Sequence, residues 1–382
     1  MNRLLGVPLV VTALAMLSAH ATVDAQPGAA GPQRPLEIYV IDPEGGKSAL
    51  WIAPSGETVL IDTGSPGGRD SGRLKEALAA AGVTRIDYLI STHYHVDHIG
   101  GLQELVKQIP IGTFVDHGPT VEGPVVPNQR EQVPGFQAAY AELWGRAKHL
   151  VVKPGDTLPI RGLEWRIVAS AGAALKAPLA KASGAGRPNP ACAQTQPKEI
   201  TTDPENGQSV GSVIAFGQFR AADFGDLLWN KEIELMCPNN PLGTVDLFMV
   251  TNHGQSAANA PPMVLGLNPR AAIMQNGTNK GAAVEVMQLL RSVPNLDIWQ
   301  LHWSYTAGIE HNAPGVFIAN LEEPATLAQR LTAPSGAGRG GGGGGGAPPH
   351  TPAYWIKVTA TADGAFRVTN SRNNFSKTYN AR

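Results

Sequence analysis

Three of the chain's ten histidines, His93, His95 and His98, fall within six residues, and Asp97 stands among them. Imidazole nitrogens and a carboxylate oxygen suit zinc or a similar divalent metal. Burying several imidazoles together with a carboxylate is costly without a partner that satisfies them. The cluster follows Ile86–Ile90, a compact apolar run that reads as a strand, so it occupies the loop beyond a rigid element. A loop can turn four side chains so that neighbours serve two adjacent ions, which a straight strand cannot. His302 and His311 follow a later strand end, in Leu301-His302-Trp303-Ser304 and Glu310-His311-Asn312. In a metal pocket they would bind an anionic substrate group or protonate a leaving group; beside Trp303 or Asn312 they read as readily as structural.

The elements that must position these residues read as short strands interleaved with helices. Leu36–Ile41, Ala49–Ala53 and Thr58–Ile61 are expected as strands, separated by the turns Glu44-Gly45-Gly46 and Pro54-Ser55-Gly56. The spacing of Leu74, Ala77 and Leu78 predicts a helix over Arg73–Ala81, with Gly82 at its end. Leu102–Gln108 and Gly135–Lys148 read as helical, and Ile111–Val115, Val151–Val152 and Leu163–Ala169 as strands. Residues 171–208, rich in Ala, Gly, Pro and polar groups, predict a long surface loop. The second half resumes with strands Ser212–Phe216, Phe219–Ala222, Val245–Val250, Ala271–Met274 and Leu296–Gln300, and helices Pro262–Leu267 and Ala283–Arg291. Tyr354–Thr361 and Phe366–Asn370 alternate across Asp363-Gly364 as a hairpin that rejoins the main sheet. The pattern predicts two sheets covered by helices.

Net charge is −1, and −2 once a first segment whose only charge is Arg3 is set aside, so the balance carries no strong basic signal for nucleic acid. Arg3, the apolar stretch Leu4–Leu17 and Ala19-His20-Ala21 read as a secretory signal peptide over 1–21, with a second possible cut after Ala25. The expectation is a periplasmic or secreted protein with no membrane attachment after signal removal. A Pro/Gly/Ala linker over 22–35 follows, and Gly340–Gly346 is a flexible tether within a loop near 333–350, not a phosphate loop. Cys192 and Cys237 read either as a disulfide or as two unrelated thiols.

The run Ser91-Thr92-His93-Tyr94-His95-Val96-Asp97-His98-Ile99-Gly100-Gly101 resembles the metallo-β-lactamase fold superfamily. Val59-Leu60-Ile61-Asp62-Thr63-Gly64-Ser65 looks like its first motif, Phe224-Gly225-Asp226-Leu227 its metal-bridging Gly-Asp motif, and Asn252-His253-Gly254-Gln255-Ser256 its last histidine motif. The resemblance runs from about Leu36 to Arg291. It is nearest to the extracellular metallo-hydrolase domain of DNA-uptake (competence, ComEC-type) proteins, in which Asn206–Ser209, Gly225-Asp226 and a His-Gly-Ser-like segment recur in this order. It implies a four-layer αββα sandwich in one hydrolase domain, 36–382, holding two divalent metal ions, by default Zn2+, with Mn2+ or Fe as alternatives.

Carried over by position, His93 and His95 would hold the first metal, Asp97, His98 and His253 the second, and Asp226 would bridge both. Asp62 would brace the metal loop without binding directly. Asp226 reads alternatively as a helix N-cap before Leu227-Leu228, with Asp223 a weaker rival as the bridge, and His253 as a plain loop histidine. The family's third histidine has no counterpart, since Ser170-Ala171-Gly172 stand after Leu163–Ala169, and ComEC-type members also tend to lack it. His117, in Asp116-His117-Gly118, reads either as its replacement in the first site or as a surface-turn histidine. Asn252 stands where related proteins often have a second histidine.

A hydroxide held between two ions is a nucleophile at neutral pH, so the expected activity is hydrolysis, with Asp97, Asp226, His302 and His311 as the acting side chains. The expected substrate is a small molecule or short phosphodiester. Carbonyl hydrolysis of a lactone, thioester or β-lactam, and a non-catalytic exported protein that keeps metal for stability, stand beside it.

Overall fold

Alternate residues of a strand point to opposite faces of its sheet, and here that alternation sorts side chains into three apolar layers. The structure, a computed structural model, describes residue 1 and residues 34–122, 133–145, 147–199, 203–322, 328 and 353–382. The expected signal segment beyond residue 1, the linker through residue 33 and the Gly340–Gly346 tract lie outside the described residues.

The first sheet runs Ser376–Tyr379, Phe366–Asn370, Ile356–Ala360, Leu36–Val40, Ala49–Ile52, Thr58–Ile61, Ile86–Ile90, Ile111–Asp116 and Lys148–Val151. It is antiparallel as far as Thr58–Ile61 and parallel from there to Lys148–Val151. The second runs Ile318–Asn320, Asp297–His302, Ala271–Met274, Leu247–Met249, Phe219–Asp223, Gly211–Phe216, Glu164–Ser170 and Thr157–Leu158. It is parallel from Ile318–Asn320 to Phe219–Asp223.

Ile38, Trp51, Val59 and Ile61 meet Trp165, Leu247, Met249 and Ile273 between the sheets. The opposite phase, Tyr39, Leu50 and Leu60, packs against Leu74, Ala77 and Leu78 of helix Arg69–Ala80. On the second sheet Phe248, Ala272 and Met274 pack against helices Trp229–Met236, Pro261–Leu267 and Val284–Ser292. The result is helix, sheet, sheet, helix. Each large side chain so buried contributes about 1.5–3 kcal/mol, and this burial outweighs local propensity in deciding the layers. Within this frame the parallel strands of both sheets end in the loops that carry the site, as open α/β sheets arrange their ligand crevices.

Several elements differ from expectation at their ends. Helix Arg69–Ala80 starts four residues before Arg73, because Asp70 in its first turn accepts a bond from Ser65 N–H at 2.7 Å. The expected helix Leu102–Gln108 stops at Leu105 and Gly135–Lys148 is Val133–Trp144, with Lys148 opening a strand. The described residues of 171–208, 171–199 and 203–208, are a stitched segment more than a loop. Arg187–Pro188 pairs with Asn239–Asn240, Cys192 forms a disulfide with Cys237 with a Cα–Cα distance of 5.8 Å, and Asn189 donates to the Pro262 carbonyl at 2.8 Å. Turn-rich composition conceals such tertiary stitching. Ser376–Tyr379 adds a third strand to the C-terminal hairpin. Among the described residues no helix is long and apolar enough to cross a membrane.

Helix Trp229–Met236 buries an acid. Glu232 accepts from Ala260 N–H at 2.6 Å, and burial pushes its carboxyl from 4.5 up to about 8. Between those values the folded chain holds a proton that the unfolded chain has lost, so stability falls as pH rises through this window. The shift corresponds to about 5 kcal/mol. Thermal melts at pH 5 and pH 9 are expected to show Glu232→Gln losing much less stability with rising pH than the parent. Equal losses would place the proton elsewhere.

Candidate metal centre

Strand Thr58–Ile61 ends at Asp62, whose φ of +57° puts a non-glycine residue in the left-handed region. Three bonds converge on its fully buried carboxylate: Thr92 N–H at 2.8 Å, the Thr92 hydroxyl at 2.7 Å and His98 Nδ1 at 2.8 Å. Burial pushes the Asp62 carboxyl above its ordinary range, against the pull of His98 and Lys47.

These bonds assign the ring protons. The Thr92 hydroxyl proton goes to Asp62, so its oxygen accepts from His93 Nδ1 at 3.1 Å. His98 Nδ1 donates to Asp62, and His253 Nδ1 donates to the Gln275 carbonyl at 2.9 Å. All three rings thereby turn Nε2 inward. His95 is reversed, with Nε2 facing Glu122 at 3.3 Å and Nδ1 standing 3.0 Å from His93 Nε2.

The second half of the chain supplies Asp226 and His253 on two tight turns. Gly225 has φ +58°, and a Cβ there would stand 2.8 Å from that of Thr92, so only glycine lets this turn approach the metal loop. Asp226 N–H donates to the Ser209 hydroxyl at 3.2 Å. The adjacent helix begins at Trp229 after Leu228, so Asp226 is not its N-cap. The rival Asp223 is engaged elsewhere, accepting from Lys47 Nζ at 2.5 Å and from Gly225 N–H at 3.0 Å. Asn252 and His253 have φ of +49° and +54°, a strained turn that aims His253 inward. The Asn252 amide oxygen instead accepts from Gln255 at 2.7 Å.

His253 Nε2 stands 3.3 Å from Asp97 and 3.1 Å from Asp226, and His98 Nε2 stands 3.3 Å and 3.4 Å from the same carboxylates. The ligand atoms of Asp97, His98 and His253 lie within 4.8 Å of one another, and so do those of His93, His98 and Asp226. The His98 and His253 Nε2 atoms face each other at 3.3 Å. Lone pairs opposed at such distances require a proton or a metal cation between them. The carboxylates set the sign: burial alone disfavours charge on His98, but Asp226, Asp97 and Asp62 hold it protonated well above its ordinary range. Burial would raise both acids, yet Lys280 and His98 hold Asp97 far below the usual range, and His253 and His98 do the same for Asp226. Burial, then the charges of His98 and His95, keeps His93 neutral and ready to ligate. Asp226 Oδ1 is buried with no hydrogen-bond partner among the described residues. Mixed nitrogen and oxygen donors with one orphaned carboxylate oxygen fit a divalent metal.

Other expected residues stand apart. His117 is in neither group of ligand atoms: Glu205 takes its Nε2 at 2.8 Å, and its ring lies 4.6 Å from that of Tyr94. Ser170, where the family's third histidine would stand, gives its hydroxyl to the Val152 carbonyl at 2.7 Å. His302 is buried with Nε2 on Asp42 at 2.6 Å, and Asp42 is paired with Arg73 at 2.9 Å. That engagement with Asp42 makes it a structural link. His311 lies in the short helix Gly308–His311, near Gln288 at 3.3 Å, outside the cavity over the cluster. The buried bond of His302 to Asp42, and the place of both histidines outside the cavity lining, set them apart from the expected acting set. Sequence reasoning missed Lys280, whose Nζ donates to Asp97 at 2.6 Å, together with Glu205 and Lys47. No local pattern marks a lone lysine 27 residues beyond His253.

Residues 42–169 match the model of the metallo-beta-lactamase superfamily. A stretch of 117 residues is 33% identical to a coenzyme F420H(2) oxidase of Methanothermobacter marburgensis, covering 30% of this chain and 26% of that protein. The chain thus spans about a quarter of that relative's length. Solved structures of similar fold include a diphosphatase from the PhnP family, at 12% identity, 69% of this chain, 94% of the other and a TM-score of 0.37. A metal-dependent hydrolase of the beta-lactamase superfamily aligns at 13% identity over 69% and 95% of the chains, with a TM-score of 0.43.

The Asp62 network yields a direct expectation. An asparagine at position 62 meets the His98 Nδ1 proton or the Thr92 donors with an N–H of its own, so His98 loses its fixed tautomer. Asp62→Asn should weaken metal binding by roughly 10- to 100-fold, measured by chelator competition. Undiminished affinity would show that this carboxylate does not orient the ligands.

Proposed function

We propose that this chain, which belongs to the metallo-β-lactamase superfamily and has its αββα fold, is an exported hydrolase using two divalent metal ions on a phosphodiester or related phosphate bond. The observation that carries the phosphate reading is the cavity over the cluster. It holds about 450 Å³, with His95, Asp97 and Asp226 at its base and Asn206, Gln255, Asn279, Lys280 and Thr306 among its walls. Ala283 brings its only aliphatic side chain among the described lining residues. A lactone or thioester with an acyl chain gains from apolar walls. A phosphate gains from donors and a cation, which these walls supply.

Divalent ions bound at this donor set supply Lewis acidity and lower the pKa of a coordinated water. The chain's own residues set the stage for that chemistry. Asp62, Thr92 and Gln275 hold ring protons on Nδ1, keeping the facing Nε2 atoms as ligands. Asp226 sets one oxygen against His98 and His253 and keeps the other buried without a hydrogen-bond partner among the described residues, so it would serve as a metal ligand. Lys280 keeps a positive charge against Asp97 at the cavity wall. The histidine and carboxylate set supports zinc first, with manganese or iron as alternatives. The Arg3–Ala21 pattern and the Cys192–Cys237 disulfide support a periplasmic or secreted location.

Metal content per chain, followed by turnover of a phosphodiester, a lactone and a β-lactam chromogen, tests the reading. Phosphodiester turnover is expected to vanish with a chelator, to return with zinc, and to fall more than about 100-fold in Asp226→Ala, since even outer partners are worth about 10- to 100-fold. Full activity in metal-depleted protein would sink it. Metal-dependent turnover of the lactone or β-lactam alone would move the substrate to the carbonyl class.

A further inference from the structure

The turn that leads into strand Gly211–Phe216 begins beside a buried acid outside both groups of ligand atoms. Glu205 is fully buried, and donors from two other segments converge on its carboxylate. Oε1 accepts from His117 Nε2 at 2.8 Å and from Tyr94 N–H at 3.3 Å. Oε2 accepts from the Thr120 hydroxyl at 2.6 Å and from Val121 N–H at 3.2 Å. A carboxylate that receives four donors has no proton of its own to give, and it orders the segments that carry them.

Those segments flank His95. Tyr94 precedes it in the metal loop, and its hydroxyl donates to the Gly118 carbonyl at 2.5 Å. Residues 117–122 follow strand Ile111–Asp116, and Glu122 among them faces His95. The Thr120 hydroxyl proton is committed to Glu205, so its oxygen receives Glu122 N–H at 3.1 Å. That bond holds the backbone from which the Glu122 carboxylate meets His95 Nε2 at 3.3 Å. A carboxylate here accepts, so the His95 ring proton sits on Nε2 and Nδ1 turns to His93, 3.0 Å away.

Glu205 is itself tied to the rest of the centre through its backbone. Gln208 N–H donates to the Glu205 carbonyl at 2.9 Å, and Val210 N–H donates to the Thr92 carbonyl at 2.9 Å. Between them the Ser209 hydroxyl receives Asp226 N–H. The acid therefore stands on the turn that also meets the metal loop and Asp226.

We propose that Glu205 is a positioning residue of the metal centre, acting through Thr120 and Glu122 to hold the ring of His95 in its ligating orientation. The inference rests on the metallo-hydrolase reading of the cluster and adds the residues that set one of its ligands. Asp62 orients the rings of His93 and His98, and the relay from Glu205 does the same for His95. His117 thereby gains a role as a donor that anchors the relay.

The test uses the full chain, with zinc affinity read by chelator competition and ring protons by NMR of the histidine nitrogens. The His95 signal is identified by its loss in His95→Gln. In the zinc-loaded parent its ring proton is expected on Nε2, against Nδ1 for His93, His98 and His253. Thr120→Val removes only the hydroxyl that links Glu205 to Glu122. It is expected to weaken zinc binding about tenfold and to shift the His95 signal, leaving that of His98 in place. Glu122→Ala should act likewise, and Thr120→Ser should restore both readouts. Glu205→Gln sets an N–H against two buried donors and should lose at least as much affinity. Because that change disturbs several buried bonds at once, Thr120→Val and Glu122→Ala carry the decision. Either readout unchanged in both would overturn the proposal, as would a His95 ring proton on Nδ1 in the parent or a loss that Thr120→Ser does not restore. In those cases a parent that binds zinc leaves the hydrolase reading standing. If the parent takes up no metal, both fall.

Discussion

The two halves of the chain are joined at the site by a buried ion pair, Lys47 with Asp223, and the geometry of the centre depends on it. The two side chains are 3% and 1% exposed and 2.5 Å apart. Lys47 N–H donates to the Asp97 carbonyl at 3.1 Å, so the same residue grips the metal loop of the first half. Asp223 accepts from Gly225 N–H, so the other partner grips the turn that presents Asp226. Such a pair gains little net stability, because desolvating two charges offsets most of their attraction, but breaking one side typically costs about 3–5 kcal/mol. Its effect here is positional. It holds two loops that end in carboxylates close together, where their charges alone would drive them apart.

Behind the metal loop, Asp62 solves a related problem. A fully buried acid must be hydrogen-bonded, and its donors are the residues that fix ring orientation, Thr92 and His98. The cost of burying Asp62 is thereby turned into order at the site. The layers beneath make this possible. Parallel strands on both sheets end at the same crevice, and the apolar phases of those strands are committed to opposite sides. Slipping one strand by a single residue would exchange core and outer faces, so the loop positions are tied to the packing.

The cavity divides its labour between these two kinds of residue. Those held from below by buried bonds turn ring nitrogens toward one another at distances that require a proton or a metal cation between them. Lys280, held through its bond to Asp97, and Asn206, held on the turn before Ser209, border the cavity. The first group favours metal chemistry.

How much of this was legible beforehand follows from the range of each interaction. Strands such as Thr58–Ile61, Ile86–Ile90 and Ala271–Met274 are readable to the residue because short apolar runs of strand-forming residues are written locally. The His93–His98 cluster is readable because ligand types sit together, and Asp226 and His253 follow from their motifs. The family resemblance implied a brace at Asp62, and its three bonds are visible only in the fold. His117, His302 and His311 are candidates from residue type and their places at or after strand ends. Only the tertiary structure placed Glu205, 88 residues away, on His117, and Asp42, 260 residues away, on His302. Lys280 and Lys47 lay beyond sequence reading for the same reason, since their partners stand 183 and 176 residues distant. Local runs and motif spacing determined the layers and brought His93, Asp97, His98, Asp226 and His253 forward as candidate ligands. Which charges meet across the crevice was decided by packing, because burial makes each of those charges depend on a partner that no nearby residue provides.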